Sequence, residues 1–84
     1  MQPQAEAVEA LRQHYLSRVG ASAHEWVPED ADLLLLLDNY SEHPDAIRHA
    51  LSATAQRVRS GGCTDPAAYL HGTARRLANG EGLH

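Results

Sequence analysis

Apolar side chains recur along this chain at three- and four-residue intervals interrupted by Gly and Pro, the pattern of amphipathic helices joined by short turns. Ala5, Val8, Leu11, Tyr15 and Val19 make a first stripe, and Gly20 follows where a left-handed cap ends a helix, which predicts a helix over residues 4–19. Pro28 and the carboxylates after it suit the positive end of a second helix, predicted over residues 28–40. Pro44 opens a third over residues 44–60, whose stripe of Ile47, Leu51, Ala55 and Val58 runs out at Gly61-Gly62. Asp65 as N-cap and Pro66 in the first helical position begin a fourth over residues 66–78, with Ala67, Leu70, Ala74 and Leu77 on one face before Asn79-Gly80. No two-residue alternation competes with these stripes. The expected fold class is all-α, a small four-helix bundle-like single domain spanning residues 1–84.

The second helix carries five consecutive leucines, Leu33 to Leu37. On a helical wheel Leu33, Leu34, Leu36, Leu37 and Tyr40 share an arc of about 160°, the width a helix can hide between two neighbours of a bundle. That arc makes the second helix the expected centre of the core. Leu35 falls opposite, beside Ala31, Asp38 and Asn39. It is either a singly exposed leucine, which is ordinary, or part of a protein interface that could include a homodimer.

Composition narrows the class. A chain of 84 residues holds one core, and a hydrophobic fraction of 43% with 21% charged residues is that of a globular protein. There is no Phe and a single Trp, so aliphatic residues and Ala must fill the interior. Cys63 is the only cysteine and can form no internal disulfide, which suits a reducing compartment. No segment approaches the roughly 20 apolar residues that span a bilayer, and "MQPQAEAVEA" lacks a basic flank followed by an apolar run. A cytoplasmic protein without membrane association is expected.

Candidate chemistry is sparse. Histidines occur at 14, 24, 43, 49, 71 and 84, and no two stand at the i, i+4 spacing that a helical zinc site uses. Cys63 and His71 supply two ligands where a closed zinc site needs four, and Cys63 sits in no recognisable nucleophile motif. Ser60-Gly61-Gly62 reads as a helix stop rather than an anion loop. The chain is expected to be non-enzymatic, with no catalytic residues, no metal and no cofactor, and its histidines are expected on the surface.

Charge divides the chain. Residues 1–44 contain two arginines against eight carboxylates, whereas residues 45–84 contain five arginines against three, within a net charge of −4. In the second half Arg57-Val58-Arg59, Gly61-Gly62, Asp65-Pro66, Tyr69-Leu70 and Arg75-Arg76 follow in order. This run, residues 50–80, resembles the C-terminal helical module of replication proteins of plasmids, phages and integrated elements, including the DnaD-like primosomal group. The resemblance implies contact with DNA or with a partner of the replication apparatus. The chain departs from those modules in being acidic overall.

Two binding functions follow from these features. The first is an accessory module of mobile-element DNA replication, engaging nucleic acid or a partner through Arg48, Arg59, Tyr69, His71, Arg75 and Arg76 at the corner of the third and fourth helices. Weak phosphate neutralisation by arginine and base stacking on Tyr69 are the expected contacts. The second is a small adaptor or inhibitor docking on a basic protein through Glu25, Glu29, Asp30, Asp32 and Asp38. Arginines gathered on one face favour the first, and arginines dispersed among carboxylates favour the second.

Overall fold

Capping groups set the helix limits. The structure, a computed structural model, describes residues 3–62 and 64–80. It contains α1 (Pro3–Val19), a 3-10 helix (Gly20–His24), α2 (Asp30–Tyr40), α3 (Pro44–Ser60) and α4 (Pro66–Ala78), with no strand among the described residues. The protein is an all-α, four-helix bundle-like fold. None of the described helices is long and apolar enough to cross a membrane.

Gly61 ends α3 in the left-handed region at φ 75°, which a side chain would strain. The Asp65 side chain accepts from the Ala68 N–H at 3.2 Å and so begins α4 with Pro66 in its first position. At α2 the sequence expectation is two residues early. Pro28 lies buried and Glu29 is extended, and the Glu29 and Asp32 side chains accept reciprocally from each other's backbone N–H groups. This capping box, rather than the proline, fixes the start at Asp30. The 3-10 helix after Gly20 was not signalled by periodicity.

The core centres on α3, not on α2 as the leucine run predicts. α1 and α4 pack on opposite flanks of α3 and not on each other, while α2 lies across one face and touches all three. The Cα trace is accordingly a slab of 35 × 32 × 17 Å. The reason lies in side-chain size. α3 buries Ala46, Ile47, Ala50, Leu51, Thr54, Ala55 and Val58, and its small residues let neighbours approach on two sides at once. α2 buries only Leu33 and Leu36 completely. Leu37 and Tyr40 are half-buried against the core. Leu34, expected inside, is 37% exposed, because it stands at the edge of the arc over an open groove that Gln4, Ala5, Val8 and Arg12 of α1 line without closing. Leu35 is 50% exposed, on the outer side where the wheel puts it.

Polar ties fix the remaining geometry. The buried Tyr15 hydroxyl donates to the Trp26 carbonyl at 2.8 Å, and the two rings meet edge to face with centroids 5.7 Å apart. These contacts hold the segment leading into α2 against α1. Arg12 reaches from α1 to Asp30 at the head of α2, and also pairs with Glu9 at 2.7 Å. His71 of α4 approaches Asp32 of α2 at 3.1 Å.

Candidate functional site

From Ala46 to Thr64 the sequence contains no carboxylate, and this stretch supplies nearly all of α3. The buried arc of α3 faces the core, which leaves Arg48, His49, Gln56, Arg57, Arg59 and Ser60 exposed on its outer side. Arginine in the last turn of a helix also complements the negative end of the helix dipole, so Arg57 and Arg59 are locally favoured where they stand.

α1 runs parallel to α3 along one side of this face. Arg59 reaches the Arg18 carbonyl at 3.5 Å, and His14 lies 2.9 Å from the Ser52 hydroxyl. Between the two helices is a groove of about 500 Å³ lined by Arg18, Ser52, Gln56, Arg59 and Ser60. α4 runs antiparallel along the other side, with the Arg57 guanidinium 4.9 Å from the centroid of the Tyr69 ring. A second groove, of about 200 Å³, is bounded there by Ala53, Gln56, Arg57, Ser60 and Tyr69. Gln56 and Ser60 belong to both grooves, so the two form one channel-like surface astride the C-terminal half of α3.

Electrostatics agree with the geometry. Burial lowers the pKa of His14 from its ordinary 6.5, and the positive charges of Arg18, Arg48 and His49 lower it further, against an opposing backbone hydrogen bond at Arg48. His14 therefore senses a positive potential along the α1–α3 seam. Arg12 and Arg48 have carboxylate partners, Glu9 and Asp30 for the first and Asp45 at 2.6 Å for the second. Arg18, Arg57 and Arg59 have none among the described residues.

The site residues expected from sequence do not all meet. Arg59 and Tyr69 border the channel at the C-terminal end of α3. Because α4 is antiparallel, Arg75 and Arg76 lie beside the N-terminal half of α3, near the groove formed by Asp45, His49 and Leu77. Stepping the roughly 12 helical residues that separate the two ends gives about 18 Å. Arg76 reaches Thr73 of its own helix at 3.4 Å, and His71 turns away to Asp32. Arg48 is on the α1 side of α3, paired to Asp45. The expected corner thus separates into two ends. Of the histidines, 24, 43 and 49 are exposed, whereas 14 and 71 are part-buried.

Arg18, Ser52, Gln56 and Arg57 belong to the surface although sequence reasoning did not select them as site residues. The carboxylate-free stretch after Asp45 signals the last three, while Arg18 joins only through the packing of α1 on α3. The anticipated acidic surface also contracts. Asp30 is held by Arg12, Asp32 by His71 and the Glu29 backbone, and Glu29 by its capping role. Ala31, Leu35, Asp38 and Asn39 are exposed together on the outer side of α2. Among the described residues no group of three or more His, Cys, Asp or Glu side chains could hold a metal ion. Cys63 and His84 lie outside the described residues.

No family model, curated protein or solved structure matches this chain.

Proposed function

We propose that this protein is a non-enzymatic binding module that takes nucleic-acid phosphates on the outer face of α3, as an accessory to the replication of a mobile genetic element in the cytoplasm. The observation that carries the binding surface is the gathering of Arg18, Arg57 and Arg59, without carboxylate partners among the described residues, around grooves that share the exposed Gln56 amide. The replication setting draws on the resemblance of residues 50–80, whose Arg57-Val58-Arg59 and Tyr69 border this surface.

A net charge of −4 is no obstacle at this range. The carboxylates of α2 lie across a slab 17 Å thick. Screening in physiological salt acts over about 8 Å, so a phosphate at the outer face of α3 feels the nearby guanidinium groups more than the distant carboxylates. Affinity is modest because few cations take part. Three neutralised phosphates give log K a slope of about −2 to −3 against log salt.

Fluorescence anisotropy with labelled single-stranded and duplex oligonucleotides across a salt series tests this reading. Arg18→Glu with Arg59→Glu abolishes binding, while Arg75→Glu with Arg76→Glu changes it by less than about threefold. Helical circular dichroism is retained in both, since all four side chains are exposed. No binding by the wild type at low salt, or loss confined to the Arg75 and Arg76 pair, overturns the proposal.

A further inference from the structure

We infer that the outer face of α2 is a docking surface for a cationic amphipathic helix of a protein partner. Leu34 and Leu35 are the exposed large hydrophobic residues of the described chain, at 37% and 50%. They are neighbours in a patch. On the helix Ala31, Leu34, Leu35 and Asp38 share an arc of about 100°, and exposed Glu42 follows in the turn after Tyr40. Beside Leu34 a groove of about 270 Å³, lined by Gln4, Ala5, Val8, Arg12 and Asp30, extends the apolar strip onto α1.

Charge defines what can cover this strip. Asp38 and Glu42 make no ion pair among the described residues, and Arg12, the cation at the edge of the groove, is committed to Glu9 and Asp30. The occupant must therefore bring apolar side chains at helical spacing together with uncompensated positive charge. A second copy of this chain does not meet both needs. Two-fold pairing about the leucines lays α2 antiparallel on its copy and sets Asp38 beside Ala31 and Asp30 of that copy, where Arg12 is already committed, so it brings leucines but no free positive charge. The outer face of α3 from another copy supplies arginines but exposes no large apolar residue to meet the leucines. A bilayer with anionic headgroups is repelled by the same carboxylates. A helix with apolar residues at i, i+3, i+4 and i+7 flanked by Lys or Arg satisfies leucines and carboxylates together.

This surface and the outer face of α3 are on different elements and different faces, so their tests separate. The probe is a labelled 18-residue helical peptide of Leu and Lys, with leucines at that spacing, titrated with the full chain in about 150 mM salt. Saturable binding is expected, weakened roughly tenfold or more by Leu34→Ser with Leu35→Ser, and equally by Asp38→Lys with Glu42→Lys. Arg18→Glu with Arg59→Glu leaves it unchanged. Circular dichroism checks that each variant is folded, and a peptide with Glu in place of Lys does not bind. The inference is overturned by absence of binding, or by binding indifferent to the leucine pair, which is charge attraction alone. It is equally overturned if sedimentation shows a wild-type dimer that Leu35→Glu converts to a folded monomer, since a second copy then occupies the face.

Discussion

The Arg57 guanidinium stacks 4.9 Å from the centroid of the Tyr69 ring and joins the last turn of α3 to the first turn of α4. One face of Tyr69 is therefore taken, and a base stacking on it must use the other face or displace Arg57. At a surface site such a pair is worth about 0.5–1 kcal/mol. A double-mutant cycle with Arg57→Ala and Tyr69→Ala, measured by urea denaturation, should return a coupling of that size. Tyr69→Phe should preserve it, because the ring and not the hydroxyl makes the contact. A coupling indistinguishable from zero would mean that the stack does not persist in solution.

The three adjacent leucines of α2 should respond very differently to truncation. Leu36 is fully buried, so Leu36→Ala should cost about 2–5 kcal/mol through lost transfer energy and the cavity left behind. Leu37 is only half-buried and should cost less, and Leu35, half exposed, should change stability by about 0.5 kcal/mol or less. Chemical denaturation of the three variants gives the order. Leu35 as the most sensitive would contradict the helix phase.

That order also marks how far the sequence could be read. Periodicity and punctuation are local, so Gly61 and Asp65 with Pro66 give the ends of α3 and α4 directly. The phase of α2 is local as well, which is why Leu35 is correctly outward. Whether an edge of the buried arc has a neighbour is a tertiary question. Leu34 and Leu36 stand at the two edges of the same arc, each about 80° from its centre, but Leu36 is fully buried while Leu34 is 37% exposed over the groove lined by Gln4, Ala5, Val8 and Arg12 of α1. The site divides in the same way. Arg57 and Arg59 could be found from a stretch free of carboxylates, whereas Arg18, drawn from the acidic half of the chain, reaches the surface only through the parallel packing of α1 on α3. Arg75 and Arg76 stand apart from Arg59 and Tyr69 for a topological reason: an antiparallel hairpin carries the end of α4 back to the beginning of α3.

Tyr15 should be the most informative aromatic to alter. Tyr15→Phe keeps the edge-to-face contact with Trp26 but removes the 2.8 Å hydrogen bond from the buried Tyr15 hydroxyl to the carbonyl of half-buried Trp26. The expected cost is about 0.5–1.5 kcal/mol, the net worth of one hydrogen bond. Trp26, the sole tryptophan, reports the change by its fluorescence. An unaltered denaturation midpoint would show that water replaces the lost donor freely.

His14 couples stability and binding to pH, and the sign follows from its surroundings. Its pKa is lowered by burial first and then by Arg18, with Arg48 and His49 adding to the same effect against a backbone hydrogen bond at Arg48. In the unfolded chain it titrates near 6.5. Between that value and its lower folded value the unfolded state binds more protons, so stability rises with pH across this window. The His14 contribution is intact above pH 6.5 and is lost as pH falls through the folded pKa. His14→Gln retains a hydrogen-bonding group toward Ser52, 2.9 Å from the imidazole, and should flatten this part of the pH dependence in denaturation experiments. A phosphate bound in the α1–α3 groove offsets the positive charge that depresses His14 and raises its pKa, so binding takes up a fraction of a proton. Oligonucleotide affinity should then increase from pH 7 to pH 6 more steeply for the wild type than for His14→Gln. Calorimetric titrations in buffers of different ionisation enthalpy measure the proton uptake directly. Equal uptake by the wild type and His14→Gln would place the linked proton on another histidine and remove His14 from the binding surface.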